Sequence, residues 1–194
     1  RGGTAPATAS NAGEVFEPYK SKQYEAGVKL DRANLITTFS VFQIDRPNAL
    51  TNPLTNHYSF DGQQRNRGFE IATAGEVLPG LNILASATIY DAELRKTAGG
   101  VNQGNDANGV PSHTINLGAD WELRSVPGLA FNARGIYTAA TPYNVENTQT
   151  LPSWTRIDIG GRYSTRMAGT PIVLRASIEN VFDDRYWLSS STLL

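Results

Sequence analysis

The chain has 194 residues, with 17 basic and 18 acidic side chains and no cysteine. The balanced charge argues against a nucleic-acid partner, and the missing cysteine excludes disulfides, thiol catalysis and a cysteine-ligated zinc site. The sequence contains no apolar run near the ~18–20 residues of a spanning helix, which argues against a helical membrane protein. A membrane β-barrel stays open, because its strands are only half apolar.

Apolar and polar residues alternate with a period of two along most of the chain, which indicates β-strands. In the first run, Val28 and Leu30 fall on one side, whereas Glu25 and Lys29 fall on the other. No stretch forms a convincing amphipathic helix. About eight strands are predicted in this way, and they lie at 23–31, 35–44, 67–77, 81–94, 114–123, 129–139, 154–163 and 174–180.

The connections between these strands alternate between short and long. Outer-membrane barrels have tight turns at one rim and longer loops at the other, whereas a soluble sandwich has no physical reason for strict alternation. We therefore predict an all-β antiparallel meander in a transmembrane barrel. The alternative is a soluble or surface β-sandwich or barrel that binds carbohydrate or protein through its long loops. The short connections are predicted at 32–34, 78–80, 125–128 and 167–171, and the long ones at 45–56, 96–112 and 141–153.

The alternation also predicts which residues share a face of the sheet. Leu117 and Asp120 should project to opposite faces, and a register slip of one residue would exchange every side chain between faces. The polar face is predicted to carry Glu25, Lys29, Asn116, Asp120, Glu122, Arg156, Asp158, Arg162, Arg175 and Glu179. The apolar face is predicted to carry Val28, Leu30, Ile115, Leu117, Ile157, Ile159, Leu174 and Ile178.

Six segments stand out when they are read together and in order: SKQYEAGVK, FQIDRPNAL, GQQRNRGFE, NGVPSHTINLGADWEL, LPSWTRIDIGGRY and IENVFDDRYW. Together they resemble the C-terminal half of the barrel of a TonB-dependent outer-membrane siderophore receptor. Each segment alone is a weak signal, but six in one order are specific. The resemblance covers roughly residues 18–187.

The resemblance implies a large barrel of about 22 strands around an N-terminal plug domain. Residues 18–194 would then be the C-terminal portion of the barrel, and residues 1–17 a loop or the start of a fragment. The plug and the last strand would be absent from this chain. The strand that ends in ENVFDDRYW is expected to leave the bilayer near Phe182.

The function implied by the resemblance is a receptor and transporter in the bacterial outer membrane, not an enzyme. It would bind a ferric siderophore as transported ligand and be energised by the TonB complex through the absent N-terminal part. Lipid would surround the barrel. The resemblance implies no directly bound cofactor, and His57 and His113 stand alone without the spacing of metal ligands.

Ligand recognition in this segment is expected at the outer mouth, because lipid and lumen contacts occupy the strands. Arg65 and Arg67 are expected to meet an anionic ligand or to line the pore. For every candidate the alternative is a solvated side chain that touches no ligand. The candidate substrate-binding residues are Tyr58, Arg65, Arg67, His113, Tyr143 and Trp187.

Overall fold

The computed structural model describes residues 3–188 and is almost entirely β-structure. Within this range, the three-residue 3-10 turn Ala98–Gly100 is the single helical element. No helix in residues 3–188 is long and apolar enough to cross a membrane. The strands are β1 (Lys22–Arg32), β2 (Leu35–Thr51), β3 (Tyr58–Leu78), β4 (Leu81–Lys96), β5 (His113–Glu122), β6 (Leu129–Thr138), β7 (Thr141–Pro142), β8 (Thr150–Leu151), β9 (Trp154–Met167) and β10 (Thr170–Ile178).

Eight of these strands form one sheet in the order β1-β2-β3-β4-β5-β6-β9-β10. Every neighbouring pair is antiparallel. The two-residue strands β7 and β8 pair only with each other, in the connection between β6 and β9. The predicted meander is therefore confirmed. Among the described residues the sheet is open, with β1 at one edge and β10 at the other.

The short connections lie together at one rim, as predicted. Two-residue turns join β1 to β2, β3 to β4 and β9 to β10. In the β9–β10 turn, Ala168 and Gly169 have φ values of 50° and 84°, the left-handed pair that matches the twist of a tight hairpin. The long connections predicted at 96–112 and 141–153 are also confirmed, and the structure has them at 97–112 and 139–153.

The prediction of a long loop at 45–56 was wrong. β2 continues to Thr51 and β3 begins at Tyr58, which leaves a connection of only 52–57. Asp45 pairs with Arg65 and Pro47 with Gln63, so the ladder runs well past the apolar part of both strands. Both faces of this section are polar, and the apolar alternation therefore disappears while the backbone pairing continues.

The predicted faces are confirmed by the register, because directly opposed residues in a ladder share a face. Leu117 and Asp120 lie on opposite faces. Glu179 follows the end of β10, and its carboxylate contacts Arg156 of the polar face. One continuous row on the apolar face is Val28, Phe39, Ile71, Ala87, Ile115, Tyr137 and Thr155. The adjacent row on the polar face is Lys29, Thr38, Ala72, Ser86, Asn116, Ile136 and Arg156.

Within residues 3–188 the sheet is a single layer, and no second sheet or helix packs on either of its faces. Among the described residues, no large side chain is fully buried. Leu117, Leu174 and Ile178 on the apolar face are 57%, 60% and 60% exposed. A sheet with so much exposed apolar surface needs either lipid or another part of the protein against that surface. The small cluster of Ala92, Leu94 and Ala107 marks the place where the β4–β5 connection folds against β4.

Candidate functional site

The mouth is the rim opposite the short turns, and an aromatic–arginine cluster lies there on the polar face. The rings of Trp154 and Tyr186 stack with centroids 4.3 Å apart and planes 9° apart. Arg156, two residues after Trp154 on the same face, donates from Nε to Asp158 and from Nη2 to Glu179, both at 2.7 Å. We call these five residues the mouth cluster.

The mouth cluster forms because the chain folds back after β10. Asn180 and Asp183 both have a φ of 52°, which turns the backbone away from the strand direction. The Asn180 N–H donates to Asp158 Oδ1 at 2.8 Å. The Asn180 side chain exchanges hydrogen bonds with the backbone of Asp184. The strand predicted at 174–180 therefore ends slightly earlier, since its ladder stops at Ile178, and the exit from the bilayer near Phe182 stays a prediction.

A second aromatic pair lies on the polar face of β2 and β4. Phe42 and Tyr90 are both level with Gly68 of β3, and their rings meet over it at 6.1 Å and 63°. A Cβ at Gly68 would lie 2.7 Å from Phe42 Cζ and would also collide with the Ile89 carbonyl. Glycine is therefore required where the two rings approach across the strand.

The register shows that the two aromatic pairs, one at Trp154 and one at Tyr90, lie at similar positions along the strands on the polar face. A single row runs across six strands through Ser40, Glu70, Thr88, Thr114, Thr138 and Trp154. Tyr90 lies two residues beyond Thr88 toward the mouth. The aromatic side chains of the polar face thus gather at its mouth end.

The register corrects the expectation that Arg65 and Arg67 line the pore. Arg67 is opposite Asp91, Arg65 is opposite Glu93, and all belong to the face that carries Phe69. His113 pairs with Ile89 on the same apolar face. The predicted strand began only at residue 67, so Arg65 lay outside it, although Arg67 already alternates with Phe69 in the sequence. Whether these three side chains bind a ligand stays a prediction.

The other three candidates lie in three different parts of the chain: at the start of β3, in the connection between β6 and β9, and after β10. Tyr58 begins β3 and packs its ring against Phe16 at 5.7 Å and Phe60 at 5.6 Å. Tyr143 follows β7 and is 45% exposed, while Trp187 near the end of the described range is 70% exposed. Within residues 3–188 no hydrogen bond, ion pair or ring contact joins any two of the six candidates.

The two longest connections are fastened to each other. Asn147 accepts a hydrogen bond from the Asp106 N–H at 2.8 Å and donates to the Asp106 carbonyl at 2.9 Å. Asn105 donates from its side chain to the Val145 carbonyl at 3.0 Å. The β4–β5 connection also forms backbone hydrogen bonds with the end of β4. These bonds extend the sheet, which we call the wall, beyond the ladder between β4 and β5.

The mouth cluster contains the functional candidates that sequence reasoning missed. Trp154, Arg156 and Asp158 alternate on the polar face, so their shared side was visible in the sequence. The contact with Tyr186 was not, because it depends on the fold-back after β10. Residues 3–188 contain no cluster of side chains able to hold a metal ion.

This geometry agrees with the comparison to known proteins. The family model described as TonB dependent receptor-like, beta-barrel matches residues 1–181. The chain belongs to this family. The ferrichrome receptor FcuA of Yersinia enterocolitica is 41% identical over 179 residues, which is 92% of this chain and 24% of that protein. The ferrichrome outer membrane transporter/phage receptor of Escherichia coli K12 is 33% identical, over 90% of this chain and 24% of that protein.

A solved receptor structure contains a matching stretch of barrel. The ferric preacinetobactin receptor BauA of Acinetobacter baumannii superimposes with a TM-score of 0.85 and 38% identity, covering 96% of this chain and 29% of that one. The chain spans about a quarter of the length of the curated relatives named here.

Membership of this family shows which face of the sheet is the inside of the barrel and which is the outside. The chain is part of a bacterial outer-membrane β-barrel, so the polar face lines the interior and the apolar face meets lipid. This favours the transmembrane barrel over the soluble or surface β-protein. The named relatives are receptors and transporters rather than enzymes.

Proposed function

We propose that this chain is the C-terminal wall of an outer-membrane receptor that imports a ferric siderophore with energy supplied through TonB. The observation that carries the proposal is the mouth cluster, in a chain whose relatives are named for ferrichrome and ferric preacinetobactin. In this proposal residues 18–194 form barrel wall, residues 1–17 precede it, and the plug and the TonB contact belong to other parts of the receptor. The start of β1 at Lys22 agrees with that division.

The chemistry of the mouth cluster suits a bulky, oxygen-rich iron chelate. Trp154 and Tyr186 offer flat apolar surface, and Arg156 offers N–H donors to chelate oxygens. Two carboxylates hold the guanidinium in place, so little side-chain entropy is lost when a ligand binds. The iron arrives inside the chelate and is cargo, and we propose no cofactor.

The test is the double variant Trp154→Ala/Tyr186→Ala in the intact receptor. We expect at least tenfold weaker binding of ferric ferrichrome, measured by fluorescence quenching, and slower uptake of radioactive iron into cells. Trp121→Ala is the matched control, because Trp121 is an apolar-face tryptophan near the opposite rim. Unchanged affinity and uptake in the double variant would contradict the role of the mouth cluster.

A further inference from the structure

We propose that Asn108 is a site of spontaneous deamidation, which converts it to aspartate and isoaspartate in the connection between β4 and β5. Asn108 and Gly109 form the single Asn-Gly pair in the sequence. The pair lies in an exposed turn at the mouth rim of the sheet. The reaction consumes only water and needs no enzyme, oxidant or cofactor.

The chemistry of the Asn-Gly pair defines the reaction. The backbone nitrogen of Gly109 attacks Cγ of the Asn108 side chain and forms a C–N bond. The side-chain nitrogen leaves as ammonia and takes the proton that the backbone nitrogen loses, so that a five-membered succinimide ring remains. Water then adds to one of the two ring carbonyls, and the ring opens to aspartate or, with the main chain running through Cβ, to isoaspartate. Glycine favours the first step, because no Cβ hinders the approach of its nitrogen.

The structure leaves the Asn108 side chain free for this step. Asn108 is exposed, and no hydrogen bond within residues 3–188 involves its side-chain amide. The side chains of Asn105 and Asn147, in contrast, are each held by backbone groups of the facing connection. Gly109 has a φ of 77°, a left-handed conformation that glycine adopts and leaves at little cost. Of these three asparagines, Asn108 therefore has both the free amide and the unhindered neighbour.

A hydrogen bond between the two long connections controls the rate of the reaction. The Gly109 N–H donates to the Pro142 carbonyl at 2.9 Å. Because the attacking nitrogen must lose this proton, the hydrogen bond has to open first. On the other side of Asn108, Ala107 is only 1% exposed, and its N–H donates to the Ala92 carbonyl at 2.7 Å. Both neighbours of Asn108 are thus fixed, and the reaction proceeds when the two connections separate.

Deamidation in turn weakens the contact between the two connections. The succinimide nitrogen carries no hydrogen, so the bond to Pro142 is absent while the ring exists. Isoaspartate adds one atom to the main chain between Ala107 and Gly109, and the spacing of their two N–H groups then no longer matches the carbonyls of Ala92 and Pro142. Aspartate keeps the normal main chain and adds only a negative charge. Receptors that carry isoaspartate therefore have more loosely fastened connections at the mouth.

The experiment incubates the intact receptor, purified in detergent, in mildly alkaline water that is enriched in heavy oxygen. Trypsin then releases the peptide 97–124. Mass spectrometry locates each oxygen that this peptide has taken up, and electron-transfer fragmentation distinguishes isoaspartate from aspartate. We expect Asn108 to react about tenfold faster than Asn105 or Asn116 of the same peptide. The free peptide, incubated in parallel, should react at Asn108 about tenfold faster than the receptor, because nothing holds its Gly109 N–H.

Two variants test whether separation of the connections limits the reaction. Asn147→Gly removes the side chain that holds Asp106, so the connections should separate more often and Asn108 should react about fivefold faster. Glu146→Ala is the control and should leave the rate unchanged. Equal rates in Asn147→Gly and the parent, or in the receptor and the free peptide, would overturn the control by the hydrogen bond. A rate at Asn108 no higher than at Asn116 would overturn the site itself.

Hydrogen exchange measures the consequence of the modification. In receptor that has been aged to isoaspartate, the Gly109 amide should exchange with deuterium about fivefold faster than in fresh receptor. Asn108→Asp is the matched control, because it carries the charge without the extra main-chain atom and should exchange like fresh receptor. Asn108→Gln forms the corresponding larger ring far more slowly and should show no change after the same incubation. Equal exchange at Gly109 in aged and fresh receptor would contradict the proposed loosening.

Discussion

Arg162 of β9 reaches across β6 and forms a two-pronged ion pair with Asp120 of β5. Its Nη1 and Nη2 donate to the two carboxylate oxygens at 2.7 and 3.0 Å. The bridge is diagonal, because Asp120 is level with Asn132 and Arg162 is level with Ala130. Ala130 is only 1% exposed. A small side chain on the middle strand thus leaves room for the guanidinium to pass.

We predict that this ion pair stabilises the wall measurably. Arg162→Gln and Asp120→Asn should each lower the free energy of unfolding in the intact receptor. A double-mutant cycle should give a coupling of about 1 kcal/mol, at the upper end for partly exposed pairs because the contact is bidentate. The measurement is reversible urea unfolding in detergent, followed by tryptophan fluorescence.

Arg175 provides the control for this cycle. It is directly opposite Arg162 on β10, so two like charges face each other across that ladder. Like charges in this position are unfavourable, and the loss of Asp120 should make the repulsion worse. Arg175→Gln should therefore recover part of the stability of Asp120→Asn. A coupling energy near zero, with no recovery of stability by Arg175→Gln, would contradict the prediction. It would show that solvent screens the charges of Asp120, Arg162 and Arg175 from one another.

Gly68 is predicted to be essential for the Phe42–Tyr90 contact. Gly68→Ala should destabilise the barrel by about 1–3 kcal/mol, because the added methyl group collides with backbone and with the Phe42 ring. Gly118→Ala is the matched control, since its new Cβ would lie no closer than 3.5 Å to any neighbour. Both are compared by the fraction of heat-modifiable receptor after refolding. Equal fractions would mean that the rings move aside freely.

The sequence predicted the fold where a local pattern carries the information. Strand parity assigned Leu117 and Asp120 to the correct faces, because alternation requires only neighbouring residues. It failed for Arg65 and Asp45, where the wall extends beyond the lipid and polar residues occupy both faces. The contact of Trp154 with Tyr186 was beyond local reasoning, since it depends on a turn of the chain and on distant packing.

Asn147 is predicted to hold the two long connections together. Asn147→Gly removes the side chain, and glycine readily adopts the positive φ of 55° found at this position. The substitution therefore adds no backbone strain that could itself change the exchange rate. The backbone N–H of Asp106 loses its acceptor and should exchange with deuterium at least fivefold faster. Glu146→Ala is the control, because no described side-chain hydrogen bond involves Glu146. Unchanged exchange at Asp106 would show that other contacts fix the connections.

The last prediction concerns two exposed aromatic residues, Tyr143 between β7 and β8 and Trp187 after β10. Tyr143 and Trp187 are 45% and 70% exposed and therefore offer ring surface that a ligand can contact. If that ligand is the siderophore, Tyr143→Ala and Trp187→Ala should each weaken ferric ferrichrome uptake several-fold, because each removes about 1–2 kcal/mol of ring contact. Their levels in the outer membrane should equal that of the parent, since neither ring supports the ladder.

Val145→Ala, a smaller apolar change in the same connection as Tyr143, should leave uptake unchanged. Parent-like uptake and affinity in both aromatic variants would assign ligand recognition to the mouth cluster and to parts of the receptor outside this chain.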